Sequence, residues 1–265
     1  LVNALNRLKL DDAGRVAERA EAALRQAEIE ARQRAAEARF QEATQELERI
    51  ESAIKGPLQK GRIRPAIEAY ERFLANPDYA SRHRDARAKL AYVLRIQEMF
   101  GAVLAGAAQS SGYELTAPLE GATVIGTEEG RVRIRRKSSR RAVAIRDLPA
   151  RDVAHLAHQG SPGLQELAGL ALYLVYREEY ERASQELRDL RGAWTGFFPG
   201  WLAELDFRAG LHTLEAWSRS GRVAASEELF QYLRRHHRNT RPYMESLDRL
   251  RRFGERIEAV ATRGM

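Results

Sequence analysis

The first proline of the chain is Pro57, and nothing between Asp11 and Ile54 would force a helix to stop. Asp11 and Asp12 supply an acidic start and an N-cap. Small and apolar residues then recur at alternating spacings of four and three: Ala13, Ala17, Ala20, Leu24, Ala27 and Ala31. That is the stripe of a coiled-coil seam. It shifts register and continues through Phe40, Ala43, Leu47, Ile50 and Ile54. The pattern predicts one helix over 11–54, about 65 Å long at about 1.5 Å per residue. A compact domain has no use for so long a helix. It must lie along the body, pack on another helix of the chain, or project as a stalk or an arm for self-association. Alanine at most seam positions buries little area, so the seam is weak.

KGPLQKGRIRP (55–65) ends this helix, and Pro65 opens another. Gly61 is followed by Ala66-Ile67, Tyr70, Phe73-Leu74 and Pro77. A related phrase returns as Tyr180, Ala183 and Leu187 behind Leu170, Ala171 and Leu174. A third copy reads Gly221, Val223, Ser226 and Phe230 behind Trp217. The phrase resembles the second helix of a tetratricopeptide repeat, where a glycine ends the first helix, a small alanine lets the two helices approach, and a proline closes the unit. The resemblance covers about half the chain. It departs from the family at Glu178, in place of the turn glycine, and at Ser226, in place of the alanine. The copies are also unevenly spaced, where the family repeats every 34 residues or so. The resemblance implies helical hairpins with a groove that holds a peptide or another helix. Hairpins of this kind are often attached to bacterial signalling proteins, including Ser/Thr kinases, so it further implies the scaffold tail of one.

Between the helical stretches, residues 113–148 change period. Val132 and Ile134, then Val143 and Ile145, alternate with polar residues at a spacing of two. The stretch predicts three antiparallel strands, with turns at 128–130 and 137–140, and LTAPL (115–119) as a further edge strand. A sheet this small needs helices to cover its apolar face. Helices are expected over 151–159, 163–176, 179–191, 200–219, 222–236 and 242–262. The last carries Tyr243, Leu247, Leu250, Phe253, Ile257 and Val260 as a terminal cap. The expected fold is therefore mainly α: helical hairpins, a long N-terminal helix and a small inserted antiparallel β-sheet. The expected regions are 1–54, 55–110, 111–149 and 150–265.

RVRIRRKSSRR (131–141) holds six arginines and a lysine. Arginine outnumbers lysine 39 to 5 across the chain, and that bias discounts arginine clusters as signals. Alternation turns Val132 and Ile134 toward helices and Arg131, Arg133 and Arg135 toward water. With Arg136, Arg140 and Arg141 they form a candidate docking surface for an acidic protein partner. Ser138 and Ser139 follow Arg135-Arg136-Lys137 as a basophilic kinase site would require, and a phosphate there would meet Arg140 and Arg141. RRHHRNTR (234–241) and RLRR (249–252) form a second basic region. Joined in space, 131–141 and 234–252 would suit an RNA or DNA backbone. No aromatic residues interleave these arginines to stack bases, which puts nucleic acid behind protein as the partner. WTGFFPGW (194–201) adds a second candidate surface: Trp194, Phe197, Phe198 and Trp201 either dock a partner or plug the space between hairpins.

Signatures of catalysis are absent from the sequence. There is no cysteine, so thiol nucleophiles, disulfides and Cys-ligated metals are excluded. GAVLAG (101–106) lacks the lysine, the hydroxyl residue and the preceding strand of a phosphate-binding loop. Asp152, His155 and His158 fall at i, i+3 and i+6, a spacing that can ligate a metal with help from other segments. The same residues read equally as a first-turn acid and ordinary histidines. His212 with Asp206 and Glu215 lacks an activated serine. The expectation is a non-enzymatic interaction module with no cofactor and no metal. No apolar run reaches the 18 or so residues of a membrane span. LAGLALYLVY (167–176) and MFGAVLAGAA (99–108) suit buried helices, and the chain is expected to be cytoplasmic. It opens on Leu1, which reads as a piece of a longer protein.

Overall fold

The computed structural model of the chain describes residues 2–194 and 199–263, with the side chains of 2–17, 19, 20, 257, 258 and 260–263 outside that description. It is mainly α, with one small antiparallel sheet. Helix α1 runs from Val2 to Gln59, beyond both predicted ends. Pro57 does not stop it, because a proline in the last turn costs only one backbone bond, and Leu58 beside it is buried. The seam divides at Ala43. Every described residue from Glu18 to Glu42 is exposed, Leu24 and Phe40 included. Ala43, Leu47, Ile50, Ile54 and Leu58 are buried. One helix is thus half arm and half core element.

The rest follows as α2 (Arg64–Ala75), a 3-10 segment (Pro77–Arg82), α3 (His83–Gln109), β1 (Ala122–Glu128), β2 (Arg131–Arg136) and β3 (Ser139–Val143). Then come α4 (Ala150–Gln159), α5 (Leu164–Tyr176), α6 (Tyr180–Ala193), α7 (Gly200–Arg219), α8 (Val223–His237), α9 (Arg241–Glu245) and α10 (Leu247–Arg263). The predicted final helix is two, broken at Ser246. Of its expected apolar face, Tyr243, Leu250 and Phe253 are buried while Leu247 is exposed, and the Ile257 and Val260 side chains lie outside the described residues.

Three hairpins, α1/α2, α5/α6 and α7/α8, close in the same way. Gly61, Glu178 and Gly221 hold φ of +64°, +62° and +74°. The next N–H in each case donates to the carbonyl five residues back: Arg62 to Pro57 (2.8 Å), Glu179 to Leu174 (3.0 Å) and Arg222 to Trp217 (3.1 Å). This left-handed closure satisfies a carbonyl that the helix end leaves free. Gly61 is held to glycine twice over, since a Cβ there would lie 2.7 Å from the Arg146 Cβ. Behind each turn the small residue of the second helix, Ala66, Ala183 or Ser226, is buried against the first.

At the centre lies α3, with α2, α4, α5 and the sheet packed around it. Its neighbours come so close that only glycine fits. A Cβ on Gly106 would lie 1.8 Å from the Leu156 carbonyl oxygen of α4, and one on Gly160 would lie 2.1 Å from that of Ala102. A Cβ on Gly169 of α5 would lie 2.1 Å from the Arg95 carbonyl oxygen of α3. The apolar character of α3 follows from being covered on several sides. Taken whole, Pro77–Gln109 is long and apolar enough by length and composition to cross a membrane, contrary to the expectation from continuous runs.

The sheet has the order β1-β2-β3, with a bulge at Gly126 (φ +132°). Ala122, Val124, Val132, Ile134 and Val143 are buried on the side facing α3. LTAPL forms no strand: only an isolated bridge, Glu114 to Thr123, flanks β1. The β2–β3 turn is tighter than expected, Lys137-Ser138 alone, with Ser139 and Arg140 already in β3. One apolar core runs from Ala43 to Ala209 through both helices and sheet, so the breaks at 54, 110 and 149 are changes of secondary structure within a shared core. A second cluster joins α7, α8 and the C-terminal helices around Phe207, Leu214, Phe230 and Leu233.

Replacing Gly169 by alanine forces α5 off α3 and should lower stability by about 3 kcal/mol, roughly 8 °C in Tm. Glu178→Gly should instead raise stability by about 1 kcal/mol, because it relieves a left-handed side-chain residue. The exposed contacts it forfeits, to Lys55 (3.4 Å) and Gln59 (3.3 Å), are worth little. Urea unfolding of the two variants beside the wild type checks both signs.

Candidate functional site

A groove of ≈ 1010 Å³ opens between α1 and α3 on one side and α7 and α9 on the other. Its lining is mostly polar and charged, and the buried Leu47, Phe207 and Leu211 lie beneath it. Its rim is charged in both signs, and the charges are paired. Lys89 meets Glu51 at 2.6 Å, Arg82 meets Asp85 at 3.0 Å, Arg208 meets Glu204 at 2.5 Å and Arg241 meets Glu245 at 2.6 Å. Exposed pairs of this kind exchange partners at little cost. A broad, largely polar groove rimmed by exchangeable charges can hold a charged peptide or helix.

Behind Phe207 sits a buried polar cluster that no sequence motif announces. Asp206 of α7 and His237 of α8 are both fully buried. Asp206 Oδ2 accepts from the Tyr232 hydroxyl (2.6 Å) and from the Arg191 guanidinium (3.1 Å), and lies 3.0 Å from His237 Nε2. Asp206 Oδ1 and His237 Nδ1 have no hydrogen-bond partner. Burial, and after it the Asp206 charge, pushes the Tyr232 hydroxyl pKa well up. Burial, reinforced by Arg191, holds the His236 imidazole below its ordinary value. The cluster ties α6, α7 and α8 together and so fixes the groove wall that carries Phe207. Its aspartate and histidine touch no solvent, so no substrate reaches them. Its members are 15 to 31 residues apart from Asp206 in sequence, a spacing with no periodic signal.

The candidates from sequence fall in separate places. Asp152 is fully buried and its oxygens are taken by the Tyr113 hydroxyl (2.9 Å), the Thr116 N–H (2.9 Å) and the Thr116 hydroxyl (3.1 Å). Burial, and next the bond to Asp152, pushes Tyr113 up to about 12. His155 stacks on the Tyr113 ring at 4.0 Å, and His158 turns to Glu186 of α6 at 3.0 Å. The three do not converge, and no group of three metal-competent side chains lies together among the described residues. His158 and Asp152 are thus helix-packing groups.

Trp201 stacks on Tyr92 of α3 at 4.1 Å, and both it and Trp194 are half-buried against the main core. These two tryptophans seal the space between helices; Phe197 and Phe198 lie outside the described residues. On the hairpin, Arg131, Arg135, Arg136, Arg140 and Arg141 are exposed and Arg133 is half-buried, 3.5 Å from Glu128. Ser138 is exposed in the turn, and Ser139 is exposed at the start of β3. The second basic region, 234–252, belongs to helices packed on α7 and on one another, while the hairpin packs on α3. The two basic segments therefore stand on different packing units.

Comparison with known protein families, with curated proteins and with solved structures returned no match.

The bond to Glu186 raises the His158 pKa above its ordinary value, against the opposing effect of burial. A histidine raised on folding adds stability that is complete below its unfolded pKa, about 6.5, and is lost as pH climbs through the raised value. His158→Gln should therefore destabilise the protein most below about pH 6 and have no effect near pH 9. Thermal melts of variant and wild type across that range give the comparison.

Proposed function

We propose that the chain is a non-enzymatic protein-interaction module of tetratricopeptide-like helical hairpins, with the groove between α1, α3 and α7 as its docking surface. The groove's breadth and its rim of exchangeable ion pairs carry this reading, since a wide, largely polar groove suits a charged helix or peptide better than a small apolar substrate. The three hairpins closed by one turn geometry support the family resemblance. The exposed half of α1 supplies reach, or a surface for self-association, as a scaffold region of a larger bacterial signalling protein would use it. The competing reading is nucleic-acid backbone binding through the hairpin arginines. The separation of the two basic segments and the lack of stacking aromatics on the strands weigh against it.

A photo-crosslinking residue placed at Thr44 or His212, on the groove, and at Gln165, on an exposed helix start elsewhere, tests the proposal in cells. Discrete protein adducts are expected at the first two positions only, and they should vanish when Lys89 and Arg208 are both reversed to glutamate. Equal adducts at all three positions, or adducts removed by nuclease together with a high 260/280 absorbance ratio of the purified chain, would refute it.

A further inference from the structure

The hairpin offers a surface separate from the groove. Strand β3 ends the sheet, and among the described residues no backbone hydrogen bond reaches its outer edge. Because the β2–β3 turn has two residues, Arg136 and Ser139 form the hydrogen-bonded pair that closes it, and the pairs alternate from there. The N–H and C=O groups of Arg140 and Ala142 therefore point away from β2, into the open edge. Those four backbone groups are set to ladder with one more strand.

The charge at this edge has no internal answer. Arg135 and Arg140 are direct cross-strand partners. Their pair is of the non-hydrogen-bonded kind, in which antiparallel side chains come closest, and like charges there are destabilising. Arg136, Lys137 and Arg141 crowd the same tip. Among the described residues none of these five cations makes an ion pair, and the one carboxylate on β1, Glu128, is taken by Arg133.

Arginines on an edge strand also guard it against pairing with a second copy. Two β3 edges brought together would set Arg140 and Arg141 against their own duplicates. The guard selects by charge and does not close the edge. An extended segment laid along β3 turns alternate side chains to the outer face, where Arg140 stands beside Arg135, and the others to the opposite face, which Arg141 shares with Ile134. A glutamate set opposite Arg140, with Arg135 beside it, would turn a repulsion into an attraction. A nucleic-acid backbone would use the cations but leave the edge N–H and C=O groups idle. The outer-face neighbours Thr123, Gly126 and Ala142 also give bases nothing to stack on.

We propose that the open edge of β3 captures an acidic, extended segment of a partner protein by strand addition, with Arg140, beside Arg135, pairing its carboxylates on the outer face. The inference rests on the interaction-module reading but places a partner on a different surface.

The test is fluorescence anisotropy at low salt with the full chain and a labelled nine-residue peptide that alternates glutamate and valine. A peptide of the same charge, N-methylated at alternate amides, keeps the carboxylates and removes the ladder. The plain peptide should bind, the methylated one about tenfold or more weaker, and R140E/R141E should lose binding with an unchanged circular dichroism melt. No binding by the plain peptide, equal binding of both peptides, or displacement of the label by a thymidine oligonucleotide at lower concentration than by unlabelled peptide each overturns it. Groove adducts at positions 44 and 212 are scored in the same R140E/R141E variant. A failed titration of the wild type with adducts present sinks strand addition alone, and a working titration of the wild type with adducts absent sinks the groove alone.

Discussion

Close backbone contact along α3 is the constraint on which the architecture depends. Gly160 and Gly169 bring α4 and α5 against carbonyls of α3, and Gly106 of α3 lies against the Leu156 carbonyl of α4. A glycine inside a helix costs roughly 0.5–1 kcal/mol relative to alanine. What offsets that cost is the fit of the larger side chains around each crossing: Ile96, Met99 and Val103 of α3, Leu156 of α4 and Leu170 and Leu174 of α5 are all buried. With α4 and α5 in place, the sheet has a surface to lie on and the α5/α6 hairpin has a fixed start. The groove inherits its width from the same arrangement, since α3 lines one wall and the hairpins that follow α5 carry the other.

Polar groups in the interior hold helices in register. Asp152 is fully buried and yet fully bonded, so it pins the loop at Tyr113 and Thr116 to the start of α4. Asp206 does the corresponding work for α6, α7 and α8, with one of its oxygens and His237 Nδ1 left without partners. Breaking such a cluster by removing one partner strands the others in a dry interior, which makes it a strong constraint on the packing of the C-terminal hairpins. Both buried aspartates, Asp152 and Asp206, thus bond across neighbouring elements and hold them together.

Much of the fold could be read from the chain. The strands, the turn at Glu129-Gly130 and the ends of α5 through α8 follow from period and from turn residues. The errors share a cause, which is that local signals were overridden by packing. Pro57 lies inside α1 because Leu58 has a buried site to reach. LTAPL is no strand because its neighbours bond to β1 only at isolated points. The candidate site was less legible. The arginines of 131–141 were visible, but their value at an open edge depends on β3 being the last strand. The groove draws on residues scattered over α1, α3, α7 and α9, and the Asp206 cluster on α6, α7 and α8, at spacings that carry no pattern.

The N-terminal helix shows where the division falls. The stripe from Ala13 to Ile54 set a helix of that length, since helix formation depends on near neighbours and the absence of breakers. The same stripe could not say that Leu24 would face water while Leu47 would be buried, for both satisfy one pattern. Burial is a contact with residues far along the chain, and only the packed body, beginning at Ala43, decided which half of the stripe found partners. In the same way, alternation along 131–141 determined which arginines face outward, while the strand order alone decided that β3 would be left with an open edge.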